Sequence, residues 1–222
     1  MGVALGAGGE FKSMGRYIGP KCSQCRYIGE KLFLKGERCN SPKCALERKS
    51  NAPRGARPRV RRRISDRGLQ LKEKQRVRFS YGVLEAQFRR FFAEAERMPG
   101  MTGDNMMSLL ERRLDNVAYR LGFGESRQHA RQIVHHRHIR VNGRRVDVPS
   151  YLVKVGDEIS WREQSTKTEL YKVVAAQVQS RNVPMWLSLN EDHMRATVVS
   201  LPTSEDVDSK LSGKAVVEYY SR

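Results

Sequence analysis

All four cysteines of this chain, Cys22, Cys25, Cys39 and Cys44, fall within its first fifth, spaced C-x2-C, thirteen residues, then C-x4-C. Two close pairs across a short loop are the spacing of a tetrahedral four-thiolate zinc site; an iron–sulfur cluster uses the same number of thiolates and is the alternative. Two disulfides would need a secretory context. The opening MGVALGAGGEFKS has neither a basic leader nor an apolar run of signal length. With no membrane-spanning run, the composition fits a reducing cytosol, where disulfides are rare. Between the cysteine pairs, Lys31-Leu32-Phe33-Leu34-Lys35-Gly36 is too short an apolar run to fold alone. Metal binding can supply about 10–16 kcal/mol to such a module. Without metal this segment is expected to be unstructured.

Charge is the second constraint. The chain of 222 residues carries a formal net charge of +18, unevenly spread. Residues 14–100 hold 23 basic against 8 acidic residues, 112–145 hold 9 against 2, and 146–222 hold 9 against 11. Solvated surfaces mix their signs. Segregated positive blocks suit a polyanion. A membrane surface would require a basic helix with a free apolar face, and here the apolar faces are committed to cores. Nucleic acid is the expected partner, with no membrane and no small-molecule substrate.

The pattern along the chain supports this. Ser50 to Arg67 holds seven arginines, one acid and two prolines, a basic strap with Arg54, Arg57, Arg59, Arg61, Arg62 and Arg63 as candidate phosphate contacts. A helical pattern covers Leu69 to Met98, with Leu84, Phe88, Phe91, Phe92 and Ala95 on one face. Phenylalanines at that spacing read as core, leaving Lys72, Lys74, Arg76 and Arg78 toward solvent or RNA. Thr102 or Asp104 is expected to cap a helix running to about Leu121. Its apolar face is Leu110, Leu114, Val117, Ala118 and Leu121, and Arg113 and Arg120 share another face. Ser126 should cap a further helix with a stripe of Arg127, Arg131, His135 and His138. Ile139 to Val146 alternates around Asn142-Gly143, the strongest short-range hairpin signal. Arg137, Asn142, Arg144 and Arg145 complete the candidate RNA-binding set. His135, His136 and His138 sit among arginines, which repel a metal cation. Val183 to Leu187 reads as the start of an irregular tail, and Ala215 to Tyr220 as a docked apolar end. No nucleophile–base arrangement or phosphate-cradling glycine loop is present, so no catalytic residues are assigned and an enzyme is not expected.

Arg112 to Trp161, through Arg113-Leu114-Asp115-Asn116-Val117 and the Asn-Gly hairpin, resembles the alpha-L helix–helix–hairpin module of many RNA-binding proteins. Taken with Gly19-Pro20-Lys21-Cys22, Leu32 to Cys39, Lys43 to Glu47, Leu71 to Gln75, Tyr81 to Glu85, Pro184 with Trp186-Leu187, and Val217 to Arg222, the chain from Met14 onward resembles the bacterial small-subunit ribosomal protein family number four, in its zinc-binding four-cysteine form. It departs from the family at Pro53 to Arg57 and follows it loosely over Asn190 to Pro202.

The resemblance implies an α+β protein: a four-cysteine zinc knuckle, a mostly helical domain, and an alpha-L RNA-binding module (a helix pair plus a small antiparallel sheet) inserted in it. The expected divisions are an extension at 1–13, the knuckle at 14–49, strap and helical domain at 50–103, the alpha-L module at 104–163, and 164–222 packing back on the helical domain. It also implies binding to the 5′ domain of 16S rRNA early in subunit assembly and a contribution to translational accuracy. The implied partners are small-subunit ribosomal protein number five and mRNA near its entry path, and the implied location is the cytoplasmic small subunit. The alternative from another class is a zinc-containing regulatory nucleic-acid-binding protein.

Overall fold

The structure is a computed structural model that describes residues 17–48, 64–178, 182–190 and 194–221. The strap arginines Arg54 to Arg63 and the extension at 1–13 lie outside the described residues.

The knuckle contains one short helix, α1 (Lys21–Ile28), and a 3-10 turn (Gly36–Cys39). Its apolar interior is small: Cys25, Ile28, Leu32 and Leu34, closed by Phe79 from the next helix.

The long helical stretch is two helices, α2 (Asp66–Tyr81) and α3 (Glu85–Arg97). Ser65 starts α2 by accepting the Gly68 N–H on its hydroxyl, and Gly82 ends it in a left-handed C-cap. The expected helix from Thr102 to Leu121 is also two, α4 (Thr102–Glu111) and α5 (Leu114–Arg120). Met101, not Thr102 or Asp104, is the N-cap of α4, and no side chain caps it. The break comes from tertiary pairing. Arg113 is extended and bridges to Leu152, Leu114 N–H donates to Tyr151 C=O at 2.8 Å, and Val153 N–H donates to Arg112 C=O at 3.0 Å.

Ser126 caps α6 (Arg127–His135) by accepting the His129 N–H. β1 (Ile139–Val141) and β2 (Arg144–Arg145) follow as a hairpin. Asn142 and Gly143 turn it with φ of 50° and 74°, both in the left-handed region that a two-residue primed turn requires. β3 (Glu158–Trp161) pairs with β1, placing Ile139 opposite Trp161.

After α7 (Glu169–Val178), the segment expected to be irregular supplies two strands, β4 (Leu187–Asn190) and β5 (Arg195–Val198). They complete an antiparallel sheet of order β2-β1-β3-β5-β4. α7, β4 and β5 share one core with α5 and α6, built around Leu114, Phe123, Ile133, Trp161, Val174, Trp186 and Val198. The described residues between 164 and 198 therefore pack into the core of the alpha-L module and not back on the helical domain.

Among the described residues the return is made by Val207 and Leu211 and then by α8 (Gly213–Tyr220), which places Val216 among Val77, Phe88, Met106 and Leu110. α4 joins the same core, so a boundary at residue 104 cuts a helix of the helical lobe. Gly103 and Gly213 let α4 and α8 touch backbone to backbone: a Cβ on Gly213 would lie 2.7 Å from the Gly103 carbonyl oxygen.

Candidate nucleic-acid interface

The basic side chains sort into two classes by what they touch. Arg113 is 1% exposed and turns inward. Its Nε and Nη2 grip Asp115 at 3.0 and 2.7 Å, and Arg131 Nη1 reaches the same carboxylate at 3.1 Å. Arg120 is held by Glu111 through Nε at 2.9 Å and Nη2 at 2.7 Å. Neither Arg113 nor Arg120 stands in the open as a phosphate contact. The sequence reading placed both on an outer helical face because the break at Arg113, which rotates α5, leaves no glycine or proline signal.

Glu111 is fully buried and forms the centre of a network joining the two lobes. Besides Arg120 it accepts from Tyr81 Oη at 2.5 Å and Asn116 Nδ2 at 2.6 Å. Burial alone would raise its pKa; the bonds and charge of Arg120, then the charge of Arg127, outweigh that and hold it below the ordinary carboxylate value. Burial and the Glu111 charge push the Tyr81 phenol well up, so it stays a donor. Arg127 Nε donates to Asn116 Oδ1 at 2.7 Å, and its guanidinium lies 4.9 Å from the Tyr81 ring and 4.7 Å from the Tyr119 ring. Tyr81 and Glu111 come from the helical lobe, and Asn116, Arg120 and Arg127 from the alpha-L module. Asp115, one of only two acids in the 112–145 block, is outside this junction and pairs with Arg113 and Arg131 within the module.

On α2 the candidates are mostly consumed too. Lys74 is buried, 2.6 Å from Glu85, with its ammonium over Tyr219. Arg76 pairs with Glu73 at 2.6 Å and Glu30 at 2.9 Å. Arg78 donates to Gln75 at 2.6 Å and lies over Phe79; burial lowers its pKa against the opposing charge of Glu85, and it remains a cation. Lys72 is half-buried and makes no ion pair among the described residues.

The second class faces water. His135, Arg137, Asn142, Arg144 and Arg145 are all exposed, on the end of α6 and on the β1–β2 hairpin, with β2 at the edge of the sheet. Asp147 holds Arg137 at 2.8 Å and so ties this turn to the chain just past the hairpin. His138 differs: Nδ1 bonds the Ser165 hydroxyl at 2.9 Å, and burial, then His136 and Arg162, lower its pKa. It is a packed neutral ring beside Trp161. The exposed members of the candidate set in the module therefore lie along the edge running from His135 to Arg145.

The knuckle cysteines are free thiols, three of them buried and Cys22 half-buried. Burial raises the Cys25 pKa; a bond to Leu32 backbone offsets it, and the charges of Cys39, Cys22 and Cys44 add to it, so the four thiols share one neighbourhood. The donor chemistry suits zinc or an iron–sulfur cluster. As they stand, no group of three or more Cys, His, Asp or Glu among the described residues is gathered closely enough to hold a metal ion. No helix among them is long and apolar enough to cross a membrane.

Residues 16–111 match the family described as ribosomal protein S4/S9 N-terminal domain, and residues 112–159 match the S4 domain. The chain is 52% identical over 209 residues to the small ribosomal subunit protein uS4 of Pelotomaculum thermopropionicum, covering 94% of this chain and all of that one. It is 53% identical over 211 residues to the uS4 protein of Dehalococcoides mccartyi and 49% over 209 residues to that of Clostridioides difficile, with the same coverage.

Proposed function

The chain belongs to the uS4 family of small ribosomal subunit proteins, and from that premise we propose how its surface is used. It is a structural, non-enzymatic constituent that binds rRNA in the small subunit. Its finer target is the 5′ domain of 16S rRNA, bound early in assembly, through the exposed edge from His135 to Arg145. Arg144 and Arg145 make phosphate contacts there. The observation that carries this reading is the division of the basic residues. Arg113 and Arg120 are spent on buried carboxylates and the buried Lys74 on the half-buried Glu85, while the hairpin arginines stand unburied on an edge strand. The A-form major groove is too narrow for side chains, so recognition is of shape, backbone and 2′-OH.

The remaining assignments rest on the family resemblance. Ribosomal protein number five is a neighbour, mRNA passes near the basic strap, and the protein contributes to accuracy. Cys22, Cys25, Cys39 and Cys44 would hold zinc, with an iron–sulfur cluster as the alternative. Donor type, burial and shared neighbourhood support this, as does the small apolar interior of the knuckle. A bound metal would supply a cross-link and no chemistry.

The test is binding of the full chain to a 16S 5′-domain transcript as salt is raised. With some 6–10 phosphate contacts, affinity should fall by roughly 10³–10⁵ between about 50 and 200 mM salt. A flat response, or equal affinity for duplex DNA of the same length, would sink the proposal.

A further inference from the structure

A cleft of about 190 Å³ opens where the knuckle, the end of α2 and the start of α6 meet. It is smaller than the roughly 300–1,000 Å³ of ordinary small-molecule sites. Phe33 forms one wall, and this residue also walls the two neighbouring hollows, so its ring is a ridge between them. Phe33 is 42% exposed and has φ of 49°, the left-handed region that a bulky side chain avoids. Burial does not account for that conformation, since much of the ring stays in water. Tyr17, 37% exposed, lines the same cleft, with the Lys21 ammonium 4.6 Å from its ring.

The module contributes the charge. Arg127 lines the cleft with its guanidinium flanked by the Tyr81 and Tyr119 rings and its Nε fixed on Asn116. Its two terminal amino groups make no hydrogen bond among the described residues. Such a rigid fork matches a phosphate in two-pronged fashion. Asp115 also lines the cleft, but Arg113 takes both its oxygens and Arg131 shares one. It therefore presents no unpaired negative charge to an anion.

We propose that this cleft is a socket for a single unstacked rRNA nucleotide, its base lying on the rings of Phe33 and Tyr17 and its phosphate on the fork of Arg127. This rests on the rRNA-binding reading above and deepens it. Sequence-tolerant RNA binders combine an aromatic face with a cation on the backbone in this way. The knuckle then contributes an RNA contact of its own, and the socket exists only where both lobes meet.

The experiment uses the full chain and the 5′-domain transcript. Ultraviolet irradiation of the wild-type complex, followed by RNase and trypsin, should leave a nucleotide on the peptide of residues 32–35. Phe33→Leu keeps an apolar side chain and loses the stacking face; its Kd should rise about 5- to 150-fold, the worth of one base–aromatic stack. Phe33→Gly also removes the ring but suits the left-handed backbone. It should bind as weakly as Phe33→Leu while its thermal midpoint stays at or above that of Phe33→Leu. Wild-type affinity in both variants, or no nucleotide on the 32–35 peptide, overturns the socket. In either case undiminished wild-type binding keeps the rRNA reading intact, whereas failure of the wild-type chain to bind the transcript overturns that reading itself.

Discussion

Glu111→Gln tests the junction between the lobes most directly. The carboxylate is fully buried and accepts four side-chain hydrogen bonds, two from Arg120 and one each from Tyr81 and Asn116. An amide of the same shape supplies one acceptor oxygen and turns an N–H₂ toward groups that are themselves donors. Removing one partner of a buried ion pair costs about 3–5 kcal/mol. Arg120 keeps 20% of its side chain in solvent, so the lower part of that range, about 3–4 kcal/mol, applies. For a chain of this size each kcal/mol moves the thermal midpoint by about 2–4 °C, which gives a fall of about 6–16 °C. Urea unfolding followed by circular dichroism reads the free energy. In a double-mutant cycle with Arg120→Gln, the two costs should fall short of additive by about 1–3 kcal/mol.

The pH dependence has a definite sign. The folded-state pKa of Glu111 lies below its unfolded value, ordinarily about 4.3. Its contribution is therefore complete above that unfolded value and is lost as pH falls through the lower folded one. The gap between wild type and Glu111→Gln should narrow on acidification through this window. A cost under about 1 kcal/mol, strict additivity, or a gap that widens in acid would refute the account of the junction.

Two further outcomes follow from the surface and the knuckle. Arg144→Ala and Arg145→Ala should each weaken binding to the 5′-domain transcript and reduce the slope of log K against log salt by about 1, without changing stability; unchanged slopes would show that the hairpin edge faces away from RNA. Cys39→Ser should lower metal content as measured by elemental analysis and loosen the knuckle while the alpha-L module keeps its own melting transition; unchanged metal content would refute the four-thiolate assignment.

Local signals were legible and non-local ones were not. Ser126 and Asn142-Gly143 act through atoms within three residues, and the structure has each element where those residues predict it; Ser65 caps α2 in the same way, three residues ahead of the expected start at Leu69. The break between α4 and α5 is imposed by residues 151–153, some forty positions downstream, and nothing near Arg113 announces it. β5 pairs with β3 from a similar distance. The alternation in β4 and β5, buried toward one face and exposed on the other, is only four residues long in each, too short to outweigh Pro184 and the polar residues between them. The site suffered the same limitation. Counting arginines finds the basic blocks, but only the carboxylates packed behind them distinguish Arg113 and Arg120 from Arg144 and Arg145.

The return of α8 sets an order on synthesis. Gln70 bonds Glu218 at 3.2 Å and Tyr220 bonds Glu85 at 2.9 Å, closing contacts across 148 and 135 residues. The helical lobe begins at residue 66, yet Val216 belongs at its centre. During translation, the apolar faces of α2 and α4 must wait in a partly built state until residues 213–220 have left the exit tunnel. The alpha-L module, complete by residue 198, can close first and hold α4 at its near end. Nascent chains stalled before residue 213 should therefore carry a folded module beside an open helical lobe, the window in which this chain most needs a chaperone or its RNA.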